Sequence, residues 1–239
     1  MFPFDQNQRF IVTGASSGLG EAVALLLNEA GASVVAVARD YPRLEAMKEK
    51  ASSSANIYLE QKDLAEDIEE LPQFVKALKE KYGKFQGLAY CAGIADLKPL
   101  SVSCYADFQK IFAINYFAPV FMLKGFLDRR LNVGQGAAAV MLSSAAAVLS
   151  DRGHTAYSGS KAALSSSCAC IAKEVAPAGM RVNCLLPSEI ATPMTGIPYR
   201  KYPMGLGETS DVANMAAFLL SDKAKWITGQ NYIIDCASF

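Results

Sequence analysis

Short apolar runs alternate along the chain with longer stretches in which apolar residues recur at helical spacing. The runs are rich in Val, Ile, Leu and Ala without clean alternation of apolar and polar positions, which is typical of parallel strands buried on both faces. We predict strands at 9–14, 32–38, 56–61, 85–91, 137–143, 180–186 and 230–235. Helices are predicted between them, at 19–31, 42–52, 66–83, about 105–130, 155–177 and 210–222.

This order of elements predicts the fold class. Strands that alternate with helices form βαβ units, and a series of such units makes an α/β fold with a doubly wound, Rossmann-like parallel sheet. We expect about seven strands with helices on both faces. Because no linker, repeat or low-complexity tract marks a boundary, residues 1–239 are expected to form a single domain.

Composition narrows the function classes. Hydrophobic residues make up 51% of the 239 residues and charged residues 19%, which favours a large core over disorder. Lys plus Arg and Asp plus Glu each number 23, so neither nucleic acid nor an anionic membrane is expected as a partner. The sequence shows neither an uninterrupted membrane-spanning stretch nor a signal peptide, and a cytoplasmic location is therefore expected.

Cysteine and histidine usage gives no indication of a metal site. The six cysteines form no C-x-x-C pair, and a single histidine excludes the usual Cys/His spacings. The cysteines are expected to be reduced and buried. A redox pair between Cys168 and Cys170 is an alternative, although residues two apart on a helix point in different directions.

A glycine-rich loop follows the first predicted strand. The sequence 13-TGASSGLG-20 leads into a helix and spaces its glycines as G-x-x-x-G-x-G. Glycines permit a tight turn and let a pyrophosphate approach a helix N-terminus, although a plain strand-to-helix turn is the alternative. Its position in a βα series favours dinucleotide binding, with contacts expected from Gly14, Ser16, Ser17, Gly18, Leu19 and Gly20.

The end of the second strand indicates which dinucleotide is bound. An acidic residue there binds the ribose 2′-hydroxyl of NAD, whereas an arginine accommodates the 2′-phosphate of NADP. The chain has Ala38 where the acid would stand, followed by Arg39, and Asp40 is expected to point elsewhere. Arg39 therefore favours NADP (NADPH) over NAD, unless it is an ordinary solvated residue.

A tyrosine and a lysine lie four residues apart in 154-HTAYSGSKAAL-164. On a helix, Tyr157 and Lys161 would share one face. A nearby cation favours the phenolate and lowers the pKa of a tyrosine from its ordinary value of about 10, so the pair is a candidate acid/base. The spacing alone is equally compatible with a surface contact.

These motifs together resemble those of the short-chain dehydrogenase/reductase family, of the single-domain kind that includes the 3-oxoacyl-acyl-carrier-protein reductases. The resemblance extends from Thr13 to about Asp235 and keeps the family's order and distances. Besides the glycine loop and the Tyr–Lys pair, it includes 63-DL-64, 90-YCAG-93, 114-INYF-117, 143-SS-144 and 187-PSEIAT-192.

The resemblance implies NADPH-dependent reduction of a carbonyl compound to an alcohol. Tyr157 would donate the proton as general acid, while Lys161 would lower the pKa of Tyr157 and hold the nicotinamide ribose. Ser144 would hydrogen-bond the carbonyl oxygen, and Asn115 would hold a water that links Lys161 to solvent. Further cofactor contacts are implied for Asp63, Leu64, Ala92, Gly93, Pro187, Ile190 and Thr192, besides Tyr157 and Lys161.

Some positions depart from the family pattern. Tyr90 and Cys91 replace two asparagines, which is expected to alter packing rather than chemistry. Ser188 replaces a glycine near the nicotinamide, where its side chain would crowd the ring or add a hydrogen bond. The two basic residues that would contact a carrier protein are replaced by Gln135 and Ala178, so a carrier-delivered thioester is not favoured.

The substrate side is expected to be open and largely apolar. A short lid near 193–204 carries Pro193, Pro198 and Pro203, which would make it stiff. His154 could border the pocket, although an exposed loop position is the alternative. The expected pocket residues are apolar apart from Glu189, which indicates a largely apolar carbonyl substrate: Ala145, Val148, Leu149, Met194 and Tyr199.

Two further expectations concern catalysis and assembly. A catalytically idle nucleotide-binding regulator or scaffold of the same fold is the alternative to a reductase, but such proteins usually lose Tyr, Lys or Ser, and this chain keeps them all. The family resemblance also implies a homodimer or homotetramer formed through helices 105–130 and 155–177. The second of these carries small residues that permit close helix approach.

Overall fold

The computed structural model describes residues 4–192 and 202–237. Seven parallel strands form one sheet in the order β3-β2-β1-β4-β5-β6-β7, which confirms the predicted Rossmann-like α/β fold. Most of the predicted lid, including Met194 and Tyr199, lies outside the described residues. The strands are β1 (Arg9–Thr13), β2 (Ser33–Ala38), β3 (Ile57–Gln61), β4 (Gly87–Tyr90), β5 (Ala138–Leu142), β6 (Arg181–Pro187) and β7 (Asn231–Ile234).

Helices cover both faces of this sheet, and alternate residues of each inner strand pack against opposite helical layers. In β1, Phe10 and Val12 contribute to the core formed with α1, α2 and α7, whereas Ile11 contributes to the core formed with α3, α5 and α6. Both faces being buried explains the continuous apolar runs. The helices are α1 (Gly18–Glu29), α2 (Tyr41–Glu49), α3 (Leu71–Tyr82), α4 (Tyr105–Phe112), α5 (Ala118–Phe126), α6 (Thr155–Val175) and α7 (Thr209–Leu220).

Two predicted helices differ from the structure in extent. The helix predicted at 66–83 begins only at Leu71, because Pro72 is best placed in a first turn, where its missing N–H has no partner to lose. The helix predicted at 105–130 consists of α4, a π-helical turn over Ala113–Phe117 and α5, and it ends at Phe126.

The topology creates a crevice where the strand order reverses. The chain leaves β1 to one side for β2 and returns to pair β4 on the other side, with Thr13 opposite Tyr90 in the register. Ligands of doubly wound sheets bind outside the carboxyl ends of the strands at this position. The glycine loop after β1 and residues 91–93 after β4 therefore lie beside each other.

The helices predicted to form an oligomer interface pack on the same face of the sheet. Tyr116 in the π-helical turn and Ser167 in α6 share a hydrogen bond of 3.2 Å between their hydroxyls. Phe117 is 45% exposed and Cys170 is exposed on this face. Association through these helices stays a prediction.

A buried arginine joins β6 to the end of α7. Arg181 is 6% exposed and donates hydrogen bonds to the carbonyl oxygens of Leu219 at 2.7 Å and Ser221 at 2.9 Å. These carbonyls close the C-terminus of α7, where a cation interacts favourably with the helix dipole. Burial lowers the pKa of Arg181.

Replacing this arginine should weaken the fold. We expect Arg181→Met to lower the free energy of unfolding by about 2–4 kcal/mol, because two buried carbonyls lose charged donors. Urea denaturation of wild type and variant measures the difference. Arg129→Met, at an exposed position, is the matched control and should change stability by no more than about 0.5 kcal/mol. Equal effects of the two substitutions would contradict the assigned role.

Candidate active site

A cleft of about 1050 Å³ lies at the carboxyl edge of the sheet. Its walls come from the glycine loop, from the segments after β2 to β6 and from the first turns of α6. Val148, predicted as a pocket residue, does not line it, and among the residues predicted for catalysis or cofactor binding Asn115 is the exception. The others line it: Gly14, Ser16, Ser17, Gly18, Leu19, Gly20, Arg39, Asp63, Leu64, Ala92, Gly93, Ser144, Tyr157, Lys161, Pro187, Ile190 and Thr192.

The glycine loop is shaped by packing inside the protein. Gly14 has φ +64°, and a Cβ there would lie 2.9 Å from the backbone of Ala92. A Cβ on Gly20 would collide with the carbonyl of Gly14, so this glycine permits close packing of α1 on the loop. Thr13 Oγ1 accepts hydrogen bonds from the amides of Cys91 at 3.0 Å and Ala92 at 3.2 Å.

The N-terminus of α1 fits the phosphates of a dinucleotide. Ser17 occupies the N-cap position, but its side chain caps no backbone amide. The Ser17 hydroxyl therefore leaves the first-turn N–H groups of the helix uncapped, and Ser17 and Gly18 both line the cleft. Such groups, together with the helix dipole, favour an anion.

The far end of the cleft carries two arginines. Arg39 is 69% exposed and lies 3.5 Å from Asp63 between Nη1 and Oδ2. Arg43 lies 3.3 Å from Asp40, and the Asp40 side chain also accepts a hydrogen bond from the Arg43 amide at 3.1 Å. Asp40 thus caps α2 while it also lines the cleft, and its direction relative to the ribose stays a prediction. Exposed ion pairs of this kind are weak, so both arginines can exchange partners readily.

Tyr157 lies in the first turn of α6 beside Ser144. The Ser144 hydroxyl accepts a hydrogen bond from the Ala146 amide at 3.1 Å and donates one to the Pro187 carbonyl at 3.5 Å. Burial raises the pKa of Tyr157, and the nearby Ser144 hydroxyl lowers it by less. The net shift is upward, so the phenol stays protonated at neutral pH and is available as a proton donor.

That Lys161 lowers the pKa of Tyr157 stays a prediction, because its ammonium has another partner in this structure. Lys161 Nζ lies 6.0 Å from the centroid of the Tyr157 ring and donates a hydrogen bond of 2.8 Å to the Leu142 carbonyl. The ammonium is therefore directed at the end of β5. Only the Ser144 hydroxyl shifts the pKa of Tyr157 downward.

Lys161 is itself buried, at 5% exposure, and forms no ion pair within the described parts of the chain. Burial lowers its pKa from 10.5 to about 8. The helical turn that contains Lys161 is fixed through its backbone, because Ser143 Oγ and Ser165 Oγ both donate to the Lys161 carbonyl, at 2.8 and 3.0 Å. Ser165 Oγ also lies 2.9 Å from Ser143 Oγ and shares its single proton between these two acceptors, so the two serines anchor the turn together.

Asn115 lies in the π-helical turn behind the cleft wall. Its side chain is fully buried, accepts from the Ile94 amide at 3.0 Å and donates to the Ile94 carbonyl at 2.9 Å. It also donates to Ser160 Oγ at 3.2 Å. A Cβ on Gly93 would lie 3.1 Å from Asn115 Oδ1 and 3.3 Å from Lys161 Nζ, so these three residues are neighbours. The predicted water link stays a prediction.

The positions that depart from the family pattern make specific contacts. Tyr90 is fully buried and donates a hydrogen bond of 3.1 Å to the Ile114 carbonyl, which ties β4 to the π-helical turn. Ser188 Oγ lies 2.9 Å from the hydroxyl of Tyr202, which also accepts from the Glu189 amide at 3.3 Å. Tyr202 was not predicted as a site residue, because it lies in an irregular segment without a motif.

The expectation that the cysteines are buried is wrong for four of the six: Cys168 and Cys184 are buried, Cys91 and Cys236 are half-buried, and Cys104 and Cys170 are exposed. Cys168 is buried and Cys170 is exposed, so the alternative of a redox pair between them is wrong. Cys168 contacts the buried thiol of Cys184 instead. Cys91 replaces a family asparagine beside Lys161, and burial raises the pKa of its thiol to about 12.

Residues 4–192 and 202–237 contain neither a cluster of metal-binding side chains nor a membrane-spanning helix. No group of three or more His, Cys, Asp or Glu side chains is placed to hold a metal ion. No helix has the length and apolar character needed to cross a membrane.

The fold is of the Rossmann type with its cleft at the reversal of the strand order, and comparison with known proteins identifies the family of oxidoreductases to which the chain belongs. A family model described as enoyl-(acyl carrier protein) reductase matches residues 14–236. The chain belongs to the short-chain dehydrogenase/reductase family.

Relatives within the family differ in what their names say they act on. An NAD-dependent glycerol dehydrogenase of Listeria innocua is 32% identical over 94% of this chain and 91% of its own. A 3-oxoacyl-acyl-carrier-protein reductase of Thermotoga maritima is 28% identical over 94% and 95%. A short-chain dehydrogenase of Burkholderia cenocepacia, solved in complex with NADP, superposes with a TM-score of 0.90 at 27% identity, covering 98% of both chains.

The burial of Lys161 predicts a pH dependence of stability. Between pH 8 and 10.5 the unfolded chain keeps the proton on Lys161 while the folded chain loses it, so stability should rise with pH in this window. Denaturation at several pH values should show wild type gaining roughly 1–3 kcal/mol relative to Lys161→Met across the window.

Lys173→Met is the matched control for this measurement, since Lys173 is exposed on the same helix. Its pH profile should run parallel to that of wild type. If the profile of Lys161→Met also runs parallel to wild type, the Lys161 ammonium is not destabilised by burial.

Proposed function

We propose that this protein is an NADPH-dependent oxidoreductase that reduces a ketone or aldehyde to an alcohol. The observation that carries the proposal is the convergence of Ser144, Tyr157 and Lys161 on the same cleft as the glycine loop. A scaffold that only bound nucleotide would have no use for a buried phenol beside a serine hydroxyl at the end of the cleft opposite Arg39.

The chain's own groups would supply the proton and the orientation. Ser144 Oγ, which accepts from the Ala146 amide, would redirect its single proton from the Pro187 carbonyl to the carbonyl oxygen of the substrate. Tyr157 would transfer its phenolic proton to that oxygen as the carbon is reduced. When bound, the dinucleotide supplies the hydride. The result is one C–H bond, one O–H bond and a Tyr157 phenolate that must be reprotonated.

Lys161 and Asn115 would support this proton transfer. With a pKa of about 8, Lys161 is still mostly protonated at neutral pH and would stabilise the phenolate left on Tyr157. It would also hold the ribose next to the nicotinamide. Asn115 fixes the backbone of Ile94 next to Lys161 and is proposed to retain the water through which the proton is replaced.

The preference for NADPH rests on Arg39. Its guanidinium lines the cleft at the end of β2, where no carboxylate follows the strand directly, and its weak pairing with Asp63 leaves it free to bind a 2′-phosphate. The substrate is proposed to be a small carbonyl compound whose body contacts the apolar wall formed by Ala145 and Leu149.

Substitution of the proposed acid should abolish reduction without abolishing nucleotide binding. For Tyr157→Phe we expect kcat/KM with NADPH and a panel of ketones and aldehydes to fall by about 10²–10⁴-fold. NADPH affinity should stay within about threefold, because the phenyl ring still fills the site. Tyr116→Phe removes a hydroxyl outside the cleft and serves as the control. Equal activity of Tyr157→Phe and wild type would eliminate the proposed mechanism.

Arg39 should determine the difference in affinity between NADPH and NADH. We expect wild type to bind NADPH more tightly than NADH, and Arg39→Ala to weaken NADPH binding by about 10- to 100-fold while leaving NADH unchanged. Calorimetric titration measures both. Arg130→Ala, which breaks an exposed ion pair with Asp128 elsewhere, is the matched control. Equal affinities of wild type for NADPH and NADH would show that Arg39 does not select the cofactor.

A further inference from the structure

Two buried polar atoms at the substrate end of the cleft have no hydrogen-bond partner among the described residues. They are Oε2 of Glu189 and Nδ1 of His154, and both side chains line the cleft. Buried polar atoms in folded proteins almost always have a partner, and leaving one unpaired costs roughly 1–3 kcal/mol. Because both side chains line the cleft, a ligand group that enters it is a candidate partner for these atoms.

The position of Glu189 is fixed by the fold. The Ser188 amide donates to the Ile234 carbonyl at 2.9 Å, and the Glu189 amide donates to the Tyr202 hydroxyl at 3.3 Å. Two residues on, the Ala191 amide donates to the Gly207 carbonyl at 2.8 Å. The backbone on both sides of Glu189 is thus held against β7 and the segment before α7, so its carboxylate is presented to the cleft by a supported loop.

The basic groups near this end of the cleft are already engaged by other acceptors. Lys161 donates to the Leu142 carbonyl, and Lys110 pairs with Asp96 at 3.4 Å. Lys98 pairs with Asp107 at 2.7 Å. No ion pair to Glu189 occurs among the residues that the structure describes. An ionised carboxylate only accepts hydrogen bonds, so its complement on a ligand is a donor.

We propose that Glu189 binds a hydrogen-bond-donating group of the substrate, so the substrate is a carbonyl compound that also carries a hydroxyl or an ammonium group. This inference rests on the proposed function and refines the expectation of a largely apolar substrate. Ala145 and Leu149 contact the carbon skeleton, Ser144 and Tyr157 bind the carbonyl oxygen, and Glu189 binds the donor. Substrates that carry a carboxylate are disfavoured by repulsion from Glu189.

Matched ketones test this assignment. The probes are 1-hydroxy-2-butanone and 1-amino-2-butanone, each compared with 3-pentanone, in which a methyl group replaces the donor. For wild type we expect kcat/KM for one of the two donor-bearing ketones to exceed that for 3-pentanone by about tenfold or more. Glu189→Ala should lower this ratio by about tenfold, towards one. Glu174→Gln, at an exposed position on α6, should leave the ratio as in wild type.

The Glu189→Gln variant distinguishes the two donor groups. A glutamine oxygen still accepts from a hydroxyl, so a hydroxyl preference should survive in part, whereas an ammonium preference should be lost with the charge. A ratio near one in wild type, or a ratio that Glu189→Ala does not change, overturns the inference while the reductase function stands. If no ketone is reduced although NADPH binds, the proposed function fails, and the inference fails with it.

Thermal unfolding gives a readout that needs no activity. Removing a buried carboxylate oxygen that has no partner should leave the Tm of Glu189→Ala equal to or above that of wild type. A carboxylate that served the fold would instead be needed for stability. A fall in Tm of several degrees in Glu189→Ala would therefore assign Glu189 a structural role and overturn the inference.

Discussion

The close approach of two backbones at the reversal of the strand order is the constraint on which the cleft depends. Gly14 lies against the backbone of Ala92 so closely that no side chain fits between them, and Thr13 bonds the amides after β4 from the neighbouring strand. This contact brings the glycine loop beside residue 93. Since Gly93 in turn neighbours Lys161, the nucleotide-binding half of the cleft and its proposed catalytic half are connected through one short stretch of backbone.

At the proposed catalytic end of the cleft, carbonyl and hydroxyl groups hold Lys161 in position. Lys161 is buried without a carboxylate, and its ammonium is bonded to a strand carbonyl while Ser143 and Ser165 hold its own backbone from the other side. An acid paired with Lys161 would fix its charge and its direction. Carbonyl and hydroxyl partners instead hold the lysine in place while leaving its proton labile, with a pKa near 8. A group that must stabilise a transient phenolate benefits from such an environment.

Much of the fold could be predicted because its signals are local and periodic. The seven strands and their βα order follow from apolar runs, and the glycine loop and the Tyr157–Lys161 spacing follow from short motifs. The details that escaped prediction depend on contacts between distant parts of the chain. The upward shift in the pKa of Tyr157 comes from burial, which no spacing reveals. Likewise, Tyr202 approaches Ser188 only because the chain after β6 folds back, and the orphaned oxygen of Glu189 is visible only once its surroundings are assembled.

The π-helical turn between α4 and α5 determines the directions in which the side chains of this segment point. A turn with one residue more than an α-helical turn rotates the following side chains by about 100° relative to an uninterrupted helix. Here that rotation lets Asn115 point inward to Ile94 and Ser160 while Phe117 remains half-exposed on the outer face. Loss of a single residue in this turn would restore a regular helix and move both side chains out of position at once. The turn therefore makes this stretch intolerant of a change in its length.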